Sequence, residues 1–157
     1  MQIRLDKIAS STRNLGLTPH CRLTTDIPAL PGTVVVVRVL DDKDHYNQLE
    51  DVHGRMMTVH RGDIVAGVLG ERRALRGFAG VVPDSVEVGD ILHLLNLGGI
   101  IGRCTSASPE VGVAARVEVL GGVIAPSLQR VEPSAAWAQP SGASIRPGIV
   151  APADQLV

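Results

Sequence analysis

The amino-acid sequence predicts an all-β protein: a small closed or partly open β-barrel of about six to nine short strands, followed by a tail rich in Pro, Ala and Ser. Three observations carry this. Apolar residues make up 45% of the 157 positions but aromatics only 2%, so the core must be assembled from Val, Ile, Leu and Ala, a mixture that favours strands. Turn signals separate short apolar runs at intervals of roughly eight to twelve residues. One phrase also occurs twice, 27 positions apart: Val59-His60-Arg61-Gly62-Asp63-Ile64-Val65 and Val86-Glu87-Val88-Gly89-Asp90-Ile91-Leu92. Glycine lets the backbone turn where a side chain would clash, and aspartate accepts hydrogen bonds from nearby N–H groups, so Gly62-Asp63 and Gly89-Asp90 read as structural turns opening two buried strands.

Taken in order, residues 2–5 form a first strand, and a polar turn follows at Ser10, Ser11 and Thr12. Residues 20–27 alternate modestly and stop at Pro28. The Pro31-Gly32 turn then delivers 33–40 (TVVVVRVL), whose four consecutive valines and flanking turn residues mark a central strand. The acidic stretch 41–51 (DDKDHYNQLED) reads as an exposed loop or one helical turn. From Arg55 the chain is apolar through Met56, Met57 and Val59 into the first Gly-Asp phrase and a strand at 64–69. Residues 71–77 (ERRALRG) form a basic loop or a single turn.

A short strand at 78–82 closes at Pro83-Asp84, and the second phrase starts a strand at 91–97. Gly98-Gly99 turns the chain into 100–104, and a polar loop occupies 105–109. Residues 111–119 then lead through a Gly121-Gly122 turn to a last apolar patch at 123–125. No segment has the length or periodicity of a long helix. After Pro126 the character changes, with Pro133, Pro140, Pro147 and Pro152 punctuating an Ala- and Ser-rich stretch. Such a stretch buries too little apolar surface to offset its ordering entropy, so the expected division is a barrel at 1–125 and a linker or tail at 126–157.

Charge and cysteine usage narrow the function classes. Fifteen Lys and Arg against sixteen Asp and Glu leave a net charge of −1, which gives no general attraction for a polyanion, and stacking aromatics are nearly absent. Nucleic-acid binding is therefore rejected. Cys21 and Cys104 form no C-x-x-C pair, so a disulfide scaffold or cysteine-based zinc site is not indicated. No apolar run approaches the ~18 residues of a membrane span, and no secretory leader pattern opens the chain; the expectation is a cytoplasmic protein without a membrane partner.

The paired Gly-Asp corners in an all-β chain of this size resemble the Gly-Asp boxes of the cradle-loop barrels, a group that includes double-psi barrels, riboflavin-synthase-like barrels and the second domain of elongation factor Tu. The resemblance covers roughly residues 33–124. It implies two pseudo-symmetric halves that interleave to close a six-stranded barrel, with Gly62-Asp63 and Gly89-Asp90 as the boxes. Residues 62–106 also resemble the barrel domain that precedes a P-loop nucleotide-binding domain in some uncharacterised prokaryotic proteins. The sequence contains no G-x-x-x-x-G-K-[ST], so ATP chemistry is not credited to it.

Candidate site residues are few. Arg72, Arg73 and Arg76 cluster in one loop, with Arg103 and Arg61 near them if the halves are symmetric; guanidinium forks suit a small anionic ligand or an acidic partner. His93 and Cys104 fall on neighbouring predicted strands, with Ser106 close by, where an imidazole–thiol contact would serve nucleophilic catalysis. The glycine strings 98–102 and 67–70 follow strands but open no helix that would hold a phosphate, and tight turns explain them. None of the spacings among His20, His45, His53, His60 and His93 matches a metal-ligand pattern, so no metal is assigned.

The leading expectation is a cytoplasmic β-barrel binding or assembly module without a cofactor of its own, working through a protein partner or self-association. Two alternatives stand beside it. One is an accessory or substrate-recognition subunit of an ATP-dependent P-loop enzyme, and the other a small cofactor-independent enzyme with a pocket at the barrel mouth.

Overall fold

A computed structural model describes residues 1–73 and 77–124. Eleven strands run in chain order: β1 Gln2–Arg4, β2 Lys7–Ile8, β3 His20–Thr24, β4 Val34–Val39, β5 Gln48–Glu50, β6 Met56–Thr58, β7 Ile64–Leu69, β8 Phe78–Val81, β9 Ile91–Leu94, β10 Ile100–Ala107 and β11 Arg116–Ile124. The helical content of the described residues is one 3-10 segment, Ser10–Leu15, which ends where Gly16 turns left-handed at φ 61°.

The strand pairings close on themselves. β4 lies antiparallel to β7, β7 parallel to β10, β10 antiparallel to β9, β9 antiparallel to β11, and β11 antiparallel to β4. The interior of this ring is the main core: Val35, Val37 and Val39 of β4 meet Val65, Leu69, Leu92, Ile101, Val117 and Val119. The alternate residues Val34 and Val36 point outward, yet they too are buried, beneath Leu5, Cys21, Leu23 and Val123. Strand side chains alternate between faces, so a run of four valines is what a strand covered on both sides requires. The outer cover comes from β1, which pairs with β3, and from β3, which pairs with β11. β2 joins the edge of β7, and β8 joins β10.

The two Gly-Asp corners make the same four hydrogen bonds. The Asp63 N–H donates to the His60 carbonyl at 3.0 Å, and the Asp90 N–H to the Glu87 carbonyl at 3.0 Å. Each carboxylate accepts in return from the amide of that same turn residue, His60 at 2.8 Å and Glu87 at 2.9 Å. The Gly62 amide donates to the Val39 carbonyl at 2.8 Å and the Gly89 amide to the Val119 carbonyl at 2.8 Å; the Val39 and Val119 amides answer to the Asp63 and Asp90 carbonyls, each at 2.9 Å. Gly62 and Gly89 hold φ of 93° and 96°, a region that glycine occupies freely. Val59 and Val86, three residues ahead of each glycine, are both buried in the ring core.

The equivalence extends into the ladders. Val37 faces Val65 as Val117 faces Leu92, and Arg38 faces Ile64 as Glu118 faces Ile91. Between the halves, Val39 is opposite Val117, Arg38 opposite Glu118 and Val37 opposite Val119. The approximate dyad therefore passes through the Arg38–Glu118 position, where an exposed ion pair closes at 3.2 Å. One difference breaks the symmetry: the Lys7 ammonium lies 2.6 Å from the Asp63 carboxylate and ties β2 to the first corner.

Several boundaries differ from the sequence expectation, each for a physical reason. Residues 41–51 contain β5, whose Leu49 is fully buried, so the stretch is not a simple exposed loop. β10 continues to Ala107 through the residues expected to form a polar loop, with a register shift between Cys104 and Ser106 against β8. Gly121-Gly122 is not a turn. β11 passes straight through it, with a register shift between Val119 and Gly121, because β3 lies so close that a Cβ on Gly121 would stand 3.0 Å from the Leu23 Cβ. The strand at 91–97 stops at Leu94, since the Leu95 amide already turns to the Ile100 carbonyl at 2.8 Å. The described residues hold eleven strands, five of them in the ring and the rest short or flanking strands around it. Ala125 and the tail at 126–157 lie outside the described residues.

Candidate functional site

A groove of about 580 Å³ opens at the end of the ring where β9 finishes. Three segments distant in sequence build most of it: residues 44–48, Arg72 with Gly77 and Phe78, and the stretch at 94–97. Its floor is apolar, from Phe78, Leu94, Leu95 and Ala115. Its rim carries Asp44, His45, Gln48 and Asn96.

The loop beside the groove is pinned along its length. At its start the Asp41 carboxylate accepts three bonds from Arg116: the backbone amide at 2.9 Å, Nε at 3.1 Å and Nη2 at 2.9 Å. These bonds hold the Asp41 carboxyl below its ordinary pKa, the bond from the Arg116 side chain being the largest cause. In the middle, Lys43 Nζ donates to the carbonyls of Val111 and Val113 and stands 4.7 Å from the centre of the Phe78 ring, a cation–π distance. Burial lowers the Lys43 pKa. At the far end the Asn47 side chain donates to the Lys43 carbonyl at 2.8 Å, and the Asn47 carbonyl accepts from the Val59 amide at 2.7 Å. Between these anchors Tyr46 holds φ 54°, the non-glycine positive φ among the described residues. A second depression of about 510 Å³ lies along the same loop, lined by Asp41–Asp44 residues and the 109–114 turn.

The arginines named from the sequence take different positions where they are described. Arg72 lines the groove. Its backbone exchanges two 3.0 Å hydrogen bonds with Gly80, its Nη1 donates to the Leu95 carbonyl, and its guanidinium lies against Gly77, where a Cβ would sit 3.1 Å from Nη1. Arg73 and Arg103 are exposed, Arg103 sitting on β10 opposite Val81. Neither lines the groove. Arg76 lies outside the described residues.

His93 and Cys104 do come together, through the main chain. The Cys104 amide donates to His93 Nδ1 at 3.1 Å, which places the neutral ring's proton on Nε2. The Cys104 thiol is directed to the Ser106 carbonyl at 3.4 Å, and neither residue lines the groove that holds Arg72. Burial lowers the His93 pKa; Asp41 pulls it upward and Arg116 downward, both less strongly. Among the described residues, no three His, Cys, Asp or Glu side chains gather as a metal-binding group, and no helix is long and apolar enough to cross a membrane. Of the groove's residues, the sequence pointed to Arg72. Tyr46, Asn96 and Leu97 went unnoticed, and one signal was available for Tyr46: an aromatic in an otherwise polar loop.

The His93 geometry has a consequence for pH. Its folded pKa lies below the unfolded value near 6.5, so its contribution to stability is complete above that value and is lost as pH falls through the folded pKa. Thermal melting from pH 7.5 to 5 is expected to show the wild type losing stability in acid, and His93→Gln, which keeps a neutral side chain with an acceptor oxygen, losing less. Parallel profiles for the two proteins would contradict the assignment of Nδ1 as a needed acceptor.

No protein-family model, curated protein or solved structure matches the chain.

Proposed function

We propose that the chain is a cytoplasmic β-barrel binding module with no cofactor of its own, and that the groove beside the 41–47 loop is where it binds. One observation carries the reading: a concave site with an apolar floor and polar rim groups, formed at one end of the ring by strand ends and a loop that is hydrogen-bonded at both of its ends. Small-molecule sites have this composition, and their size range includes the volume found here. The likeness to cradle-loop barrels belongs to the same proposal. Matching bonds at the Gly62-Asp63 and Gly89-Asp90 corners are what such a relation requires.

Catalysis by His93 and Cys104 receives less support. The imidazole nitrogen facing Cys104 is occupied by that residue's amide rather than its thiol.

The reading is tested by titrating mixtures of small fragments into the isotopically labelled full chain and following its amide signals. Binding is expected to move Tyr46, Asn47, Asn96 and Leu97 together. Saturable shifts that leave these four amides unmoved and are confined to the outer strands β1 and β3 would place the site elsewhere and overturn the proposal.

A further inference from the structure

We infer that the groove takes a small singly charged carboxylate with a flat apolar body, its carboxylate on the Arg72 guanidinium and its body between Tyr46 and Leu97. The inference rests on the groove being the binding site and goes further by naming the class of ligand.

The charge comes from Arg72. A guanidinium has five N–H donors in a fixed plane, and Nη1 is directed at the Leu95 carbonyl. The head group is held before any ligand arrives, because the backbone of Arg72 is bridged to Gly80 and its tip rests on Gly77. Such fixing lowers the entropy lost on binding. No carboxylate is ion-paired with Arg72 among the described residues, so a ligand carboxylate would meet a cation that no acidic group has neutralised.

The shape comes from the rim. Leu97 and Tyr46 are large side chains left 45% and 58% exposed, and both border the groove. A planar body laid between them would remove apolar surface from water. Tyr46 also keeps a left-handed backbone, a conformation unfavourable for a non-glycine residue that recurs at ligand-binding sites.

The limit on charge comes from Asp44. It is exposed on the same rim, where it opposes a second negative charge on the ligand. A dianion such as phosphate is therefore disfavoured against a monocarboxylate.

The experiment titrates phenylacetate, 2-phenylethanol and inorganic phosphate separately into the labelled full chain. Phenylacetate is expected to shift the Tyr46, Asn47, Asn96 and Leu97 amides saturably, and to bind about tenfold more weakly to Arg72→Gln, the loss expected for a charge-assisted hydrogen bond. Asp44→Asn, an exposed substitution that leaves the packing alone, is expected to tighten phenylacetate about two- to threefold at low salt. Equal binding of 2-phenylethanol, tighter binding of phosphate, or no gain in Asp44→Asn would overturn the ligand class while leaving the groove as the site. Shifts by phenylacetate that avoid all four amides would overturn the groove itself.

Discussion

Replacing Gly99 with alanine is expected to destabilise the protein by about 3–5 kcal/mol, a large share of the ~5–15 kcal/mol available to a domain of ordinary stability. Two independent effects add. Gly99 holds φ 86°, which strains any residue with a Cβ, and that Cβ would stand 2.2 Å from the Ala9 Cβ, with Ser11 Oγ at 3.4 Å and Leu49 Cδ1 at 3.5 Å. The chain has little room to yield, because the Gly99 carbonyl accepts the Val68 amide at 3.0 Å and the Ser11 amide is tied to the Gly98 carbonyl at 3.0 Å. Gly98→Ala is the matched control. Its Cβ would meet nothing closer than 3.6 Å, so a change below about 1 kcal/mol is expected. Urea denaturation of both variants measures the difference, and equal midpoints would show that the turn does not pack as described.

The second large effect is expected at Ile101, which is fully buried in the ring. It pairs with Leu69 across the parallel seam and with Leu94 across the antiparallel one, and its carbonyl accepts the Gly70 amide at 3.0 Å. Ile101→Ala removes methyl and methylene groups that the ring cannot readily refill, at a cost of about 2–5 kcal/mol, whereas Ile101→Val should cost about 0.5–1.5 kcal/mol. The graded pair distinguishes a filled core from a loose one. Near-equal losses in denaturant unfolding, both under about 1 kcal/mol, would mean that the seam is not closed around this side chain.

How legible these features were depends on how local their causes are. The strands Val34–Val39 and Ile64–Leu69 and both Gly-Asp corners follow from short-range chemistry: a β-branched run, a permissive glycine and a carboxylate that closes its own turn. Gly121-Gly122 misled because close approach and turning demand the same residue. Only the position of Leu23 on β3 shows which demand applies. Leu49 was concealed in an acidic stretch, since one buried side chain between polar neighbours leaves no periodicity to read. The groove needed tertiary structure altogether. Its walls come from 44–48, Arg72, Gly77, Phe78, 94–97 and Ala115, and adjacent arginines that look alike in sequence differ, with Arg72 lining the groove and Arg73 exposed.

The measurement that bears most directly on the duplicated architecture is amide hydrogen exchange at Gly62, Gly89, Val39 and Val119 in the full chain. Equivalent clasps predict that all four amides are protected, with Gly62 resembling Gly89 and Val39 resembling Val119, although both glycines sit in exposed turns. Protection at one corner and free exchange at the other would contradict the approximate dyad on which the account of the ring is built.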